Sequence, residues 1–291
     1  MPRLSTLPSI VRELLCSRTL QREPEPDLVM ESGEQVDAYA QAGRIPGGMA
    51  AVYLFHTAQI SKVIARSESV LDLACGPGTL LSQIAELNPS ISFTGVDLSA
   101  SMIDKANEYA SERELPNVRF FIDDIARLDT VKNHSVGAVI STMALHHLPN
   151  YAALKSSFDQ IQRVLKPNGS LYIADFTRLK SLKSVHHISY MNRRHQPYIF
   201  SLDTERSMRA AFLLEEFRGL VREMSTVRPQ ILSTFLVPLF VIIKTADHSL
   251  RKEQYGRLRD LRLRLPGRFR RDLDDMRLFF KLGGLKNDPF G

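Results

Sequence analysis

The chain has 291 residues, 44% hydrophobic and 24% charged, with two cysteines and a formal net charge of +6. Such a chain can bury one large core with terminal additions. Cys16 and Cys75 alone exclude a disulfide framework or a multi-cysteine metal site, and no metal is expected; a reducing compartment, the cytoplasm, is the natural home. The opening MPRLSTLPSIVREL lacks the continuous apolar stretch and cleavage site of a signal peptide. The longest nearly apolar run, Ile231 to Ile243, is shorter than the ~18 residues of a membrane span and carries Ser233, Thr234 and Pro238, so it reads as buried strands.

Residues 1–66 read as helical pieces broken by QREPEPD (21–27) and by GRIPGGM (43–49), an N-terminal extension or lid. From Ser69 a short apolar strand, a loop with glycine or aspartate and an amphipathic helix alternate several times, the pattern of a parallel sheet. Strands are expected at 69–74, 92–96, 118–122, 136–141 and 170–175. Helices are expected at 80–87, at 100–114 with Ser99 as its cap, and at 151–165, stopped at Lys166-Pro-Asn-Gly169. After an irregular stretch, 176–203, comes a helix at 205–223, then two strands in 226–244 bent around Pro238, an antiparallel pair. The core domain is thus 67–244, with 176–225 as a substrate-covering insertion. The remaining segment, 245–291, carries twelve Lys/Arg against seven Asp/Glu. It reads as a solvated helix with Leu258, Leu261 and Leu265 on its inner face, or as a grip for phosphate or an acidic surface.

The strongest motif is VLDLACGPGTL (70–80), a strand entering a glycine turn that opens a helix. Gly76 and Gly78 let the backbone approach a ligand closely, and the helix start offers unpaired amides. Asp97 ends the next strand, 19 residues after Gly78, where a carboxylate accepts hydrogen bonds from ribose hydroxyls; together these specify a nucleoside-type ligand. Asp72 lies within the turn and would repel a pyrophosphate, so a cationic amino-acid ligand fits better.

These residues resemble the class I S-adenosylmethionine-dependent methyltransferases, in particular the branch of quinone-biosynthesis and other small-molecule methyltransferases. The resemblance covers residues 69–176 and implies a doubly wound, mostly parallel, seven-stranded Rossmann-like sheet. LDLACGPG (71–78) matches the family's first motif, with Ala74 where glycine is more usual. Asp97 matches its ribose carboxylate, with Leu98 and Met102 beside the cofactor. Asp124 and Ile125 match the pair at the adenine, Ser141 and Thr142 the segment beside the methionine moiety, and LKPNGSLYIADF (165–176) the turn into strand five. The implied cofactor is S-adenosylmethionine, with S-adenosylhomocysteine as product.

Methyl transfer needs alignment above all, and a base where the acceptor is a phenol, enol or carbon acid. His146 and His147 follow strand four and are either that base or architectural. The cluster VHHISYMNRRH (185–195) offers His186 and His187 near the reacting group, Tyr190, and Arg193 or Arg194 to pair with an acidic acceptor; its other reading is a packed polar loop. No carboxylate or cysteine spacing accompanies its histidines, so it does not read as a metal site. The resemblance also implies that Tyr39, in VDAYAQAG (36–43), folds over the cofactor on the substrate side, as a tyrosine does in some relatives. The segment after strand four lacks the Asn/Asp-Pro-Pro-aromatic pattern of amino-group methylation, and no Pro-Cys dipeptide stands ready for covalent addition to a pyrimidine. The expectation is therefore transfer to oxygen or carbon of a small molecule. An RNA- or protein-modifying enzyme, or a nucleic-acid binder using the basic tail, is the alternative.

Overall fold

The computed structural model describes residues 6–26, 33–44, 47–194 and 196–290. Seven strands form one sheet in the order β3-β2-β1-β4-β5-β7-β6. They are β1 (Ser69–Leu73), β2 (Ser92–Asp97), β3 (Val118–Ile122), β4 (Val136–Thr142), β5 (Leu165–Phe176), β6 (Gln230–Ser233) and β7 (Phe240–Lys244). Only β7 runs against the others, paired antiparallel with both β5 and β6. The central strands β1, β4 and β7 are largely apolar and buried because both faces are covered, whereas β3 and β6 at the edges are partly exposed. Val70, Ile140, Tyr172 and Ile242 enter the core beneath α3 (Ala50–Ile64), α4 (Thr79–Leu87) and α5 (Ala100–Glu112). Their neighbours Leu71, Val139, Ile173 and Ile243 enter the core beneath α6 (Tyr151–Val164) and α9 (Leu214–Glu223). The crossovers reverse between β1 and β4, which opens a crevice at the carboxyl ends of these two strands.

Three sequence expectations are corrected. The stretch 176–203 is not irregular; it contains α7 (Leu182–Tyr190) and the start of α8 (Tyr198–Ala210). The expected helix 205–223 is two helices, α8 and α9, because Ala211 and Leu213 adopt extended backbone. Glu216 stabilises the restart by accepting the Leu213 N–H at 2.6 Å. The Lys166–Gly169 segment is not a separate turn: β5 begins at Leu165 directly after α6, with Asn168 at φ 61° in a bulged register against β4.

Two short helices precede α3, α1 (Leu7–Leu15) and α2 (Gly33–Gly43). At the other terminus α10 (Lys252–Arg264) and α11 (Gly267–Leu282) complete the core. Leu258, Leu265, Phe269, Leu273 and Phe280 are buried with α3, and the Phe280 ring stacks on Phe55 at 5.3 Å and 15°. Arg257, Arg259, Arg264, Arg270 and Arg271 point outward. Beneath them Asp247 binds two buried ammonium groups, Lys62 of α3 at 3.1 Å and Lys244 of β7. Burial lowers the Lys244 pKa and Asp247 pulls it back up. Among the described residues no helix is long and apolar enough to cross a membrane.

Asp247→Asn leaves both ammonium groups without their anion and should cost about 3–5 kcal/mol. Phe280→Ala should cost a similar ~3–5 kcal/mol by opening a cavity over α3. Urea unfolding checks both; an unshifted midpoint in either variant would show that the C-terminal helices are not held this way.

Candidate functional site

The crevice is built from the loop after β1. Its backbone turns through the left-handed region three times, at Ala74 (φ 54°), Gly76 (φ 53°) and Gly78 (φ 67°), before α4 begins. The two glycines are needed for different reasons. At Gly76 an added Cβ would meet only Tyr39 Cε1 at 3.9 Å, so this backbone stands open to the crevice. At Gly78 a Cβ would come within 2.7 Å of Phe120 Cζ and 2.8 Å of Ala106 Cβ. Gly78 is not among the crevice residues; it lets α4 pack against β3 and α5.

Asp97, at the end of β2, fastens this loop. Its Oδ2 accepts the Gly76 N–H at 2.8 Å and its Oδ1 accepts the Ser99 N–H at 2.9 Å. Burial raises its pKa and these N–H donors hold it down. Each oxygen keeps a further lone pair for a hydroxyl. Ser99 caps α5 by accepting the Met102 N–H, which sets Leu98 and Met102 along the same wall. On the far side Asp123 accepts backbone N–H groups of Asp124, Asp129 and Thr130, shaping the loop that brings Asp124 and Ile125 to the crevice.

Asp72 lines the crevice floor at 4% exposure. Burial, then the neighbouring charge of Asp97, pushes its carboxyl well above the usual carboxylate range. A cationic ligand group is what would restore its charge. Beyond it lie Thr142, whose buried Oγ1 has no hydrogen-bond partner, then Met143 and Ala144. Ser141 does not reach the space: it is fully buried and its Oγ donates to Leu73 O, tying β4 to β1. The empty space is about 1180 Å³ with its mouth included, within reach of a nucleoside and a small acceptor.

The two histidines after β4 part company. His146 is buried, with Nδ1 2.6 Å from Asp175 Oδ1 while its backbone N–H donates to Asp175 Oδ2; it lies behind the crevice wall. His147 lines the crevice, its Nδ1 3.1 Å from Glu25 Oε2. Burial draws the His147 pKa down, but Glu25, Asp203 and Asp175 outweigh it and the net shift is upward. Glu25, His146 and His147 bring one potential ligand atom each within 4.8 Å of one another. A metal ion there would have to displace a proton between Glu25 and His147.

The second histidine cluster stands elsewhere. His186, His187, Tyr190, Arg193 and Arg194 border a separate depression, and none of them lines the crevice. Glu205 of α8 holds His186 Nε2 at 3.1 Å and accepts the Tyr190 hydroxyl at 2.9 Å, so the polar side chains of α7 are spent on packing two helices together. His195 lies outside the described residues. Tyr39 is in the crevice, beside Tyr53. Tyr53, Glu25 and Asp203 escape the sequence reading because their partners are distant along the chain.

The family described as "Methyltransferase domain" matches residues 64–215, just over half of the chain. The chain belongs to that family. This methyltransferase is similar to the arsenite methyltransferase of Halobacterium salinarum, 34% identical over 113 residues, which cover 38% of this chain and 28% of the relative. It is also similar to the 2-phytyl-1,4-naphtoquinone methyltransferase of a Nostoc species, 30% identical over 113 residues, covering 38% of this chain and 48% of the relative. The matched stretches thus span less than half the length of these curated relatives. A SAM dependent methyltransferase from Aquifex aeolicus shares the fold, with a TM-score of 0.52 at 14% identity over 75% of this chain and 100% of the other. The Rossmann-like fold, the enzyme class and S-adenosylmethionine as cofactor, all expected from the sequence, are borne out.

Asp97→Ala, which removes the ribose acceptor and the loop fastening, and Gly76→Arg, which fills the open backbone, should each abolish S-adenosylmethionine binding in calorimetry. Wild-type affinity in both would remove the cofactor from this crevice. Because an approaching ammonium or sulfonium favours ionised Asp72, binding at mildly acidic pH should release a proton. The affinity should therefore weaken as pH falls. Binding enthalpies compared across buffers of different ionisation enthalpy read this directly, and Asp72→Asn should erase it.

Proposed function

We propose that this methyltransferase transfers the methyl group of S-adenosylmethionine to an oxygen or carbon atom of a small-molecule acceptor, with His147 taking the acceptor's proton. The observation that carries the reading is that one crevice is lined by Asp72 and Asp97 and also by His147. When bound, the sulfonium cofactor supplies an electrophilic methyl carbon with its own leaving group. The chain's residues bind, align and move a proton. Asp97 would hold the ribose, Asp124 and Ile125 the adenine, and Asp72 the cationic amino-acid part. Ala74 and Thr142 line the same path.

The crevice is also lined by Tyr39, Tyr53, Met143, Leu148 and Pro149, and no lysine or arginine lines it among the described residues. That lining suits a neutral, flat or apolar acceptor bearing an alcohol, phenol, enol or acidic C–H. A carboxylate acceptor, for which Arg193 and Arg194 were candidates, lacks its counter-ion there. The same lining disfavours nucleic acid, whose phosphates need cationic contacts near the reacting base. Arsenite and 2-phytyl-1,4-naphtoquinone, in the names of two relatives, are themselves small molecules. In this reading residues 1–66 cover the crevice through Tyr39 and Tyr53, and Glu25 reaches His147. The core is 67–244, Asp203 of its 176–225 insertion acts electrostatically on His147, and 245–291 buttresses α3.

Incubating the protein with a metabolite extract and methyl-labelled S-adenosylmethionine should label a small metabolite, read by mass spectrometry. Label found in RNA or protein alone would overturn the acceptor class. With the acceptor in hand, His147→Ala should lower kcat by about 10²–10⁴ while cofactor affinity stays unchanged. Undiminished turnover would return His147 to an architectural role.

A further inference from the structure

The segment Leu20–Glu25, which overlaps the QREPEPD stretch that breaks the N-terminal helical pieces, is bound in place as a strap. Leu20 N–H donates to Leu179 O and Glu23 N–H to Arg209 O. Between them Arg22 places all three guanidinium nitrogens on main-chain carbonyls: Nη1 on Pro149 O at 2.7 Å, Nη2 on His146 O and Leu148 O, and Nε on Ala210 O at 2.7 Å. The guanidinium also lies 4.0 Å over the Phe212 ring. Three of those four carbonyls belong to the turn that carries His147. Three residues on, the side chain of Glu25 is 7% exposed, with Oε1 accepting the Ser207 hydroxyl at 2.9 Å and Oε2 3.1 Å from His147 Nδ1.

We infer that Glu25 is a positioning residue for His147: it accepts the Nδ1 proton and so leaves the Nε2 lone pair, on a side chain that lines the crevice, to take the acceptor's proton. This rests on the reading of His147 as the base. In the step itself the acceptor's O–H or C–H bond breaks toward Nε2. Its electron pair forms the bond to the methyl carbon, and the pair of the broken carbon–sulfur bond stays on sulfur. The imidazolium left behind is balanced by Glu25. The alternative tautomer, with the proton on Nε2, would set the Nδ1 lone pair against a carboxylate oxygen at 3.1 Å.

Other charges face the same ring. Asp203 of α8 and Asp175 of β5 favour its protonated form, Asp97 interacts with it across the crevice, and the neighbouring His146 ring lies 4.3 Å away. Asp203 is itself pushed up to about 6, by burial first and by Glu25 second. Glu25 is the group in contact with Nδ1, and its own carboxyl is held below the usual range: burial opposes ionisation, but His147, His146 and Ser207 outweigh it. Turnover should accordingly rise with pH through the elevated His147 pKa, and loss of Glu25 should move that rise to lower pH.

The test needs no acceptor. Long-range ¹H–¹⁵N correlation spectra of ¹⁵N-labelled full-length protein read the tautomer and titration of each imidazole, with His147 assigned from its absence in His147→Gln. The expected result is an Nδ1–H tautomer with a pKa above ~6.5. It should drop toward or below that value in Glu25→Gln and recover partly in Glu25→Asp, with S-adenosylmethionine affinity unchanged in both. An Nε2–H tautomer in the wild type, or an identical titration in Glu25→Gln, overturns the inference. Should Glu25→Gln fail to fold, the wild-type tautomer alone decides. If the tautomer and shift are found but His147→Ala turns over normally, the base assignment fails and the Glu25–His147 pairing stands.

Discussion

The hydrogen bond from the Gly76 N–H to the Asp97 carboxylate is the contact on which the site depends. It spans two adjacent parallel strands and fastens the loop after β1 to the end of β2, with the other Asp97 oxygen fixing the start of α5. Together with the Cys75 N–H bond to Val96 O and the Gly78 N–H bond to Cys75 O it holds the turn at Ala74–Gly78, where three residues occupy the left-handed region and one of them is alanine. The same carboxylate thus builds the crevice and lines it, which explains why its neighbours are glycine, serine and a helix start rather than bulkier groups.

A second constraint is electrostatic. Asp72, Asp97, Asp123 and Asp124 all line a crevice with no lysine or arginine on its described wall. Burying that much acidity is unfavourable, and the raised pKa values of Asp72 and Asp97 register the cost. A permanently cationic sulfonium with an ammonium beside it relieves this strain where a dinucleotide would add to it. The preference for the cofactor therefore lies as much in the lack of lysine and arginine on the crevice wall as in any one hydrogen bond.

The core of this arrangement was legible because it is local. Strand, turn and carboxylate fall within thirty residues, so Asp72, Ala74, Gly76, Asp97, Leu98, Met102, Asp124 and Ile125 could be placed from spacing and resemblance, and all line the crevice. Ser141 and Gly78 stand in the same motifs yet serve packing, because alternation along β4 turns Ser141 toward β1 and the α4–α5 contact leaves no room at Gly78 for a methyl group. Sequence carries no mark separating a residue that touches a ligand from one that lets its neighbour do so. The histidines of α7 misled for the converse reason: the composition suggested chemistry, but Glu205 on the next helix takes up His186 and Tyr190.

What stayed illegible is a single structure seen from two ends. The break between α8 and α9 at 211–213 contains no glycine or proline, and the strap at 20–25 reads as a break between helical pieces. Each explains the other. Ending α8 at Ala210 leaves its carbonyl without a helical partner, and Phe212, between Ala211 and Leu213, offers a ring on which a guanidinium can lie; Arg22 takes both. Continuing the helix through 211–213 would take that carbonyl back into the helix and swing the ring away, releasing the arginine that bridges α8 to the turn carrying His147. A break in one helix therefore sets the position of a carboxylate nearly two hundred residues earlier in the chain, and through it the histidine at the crevice.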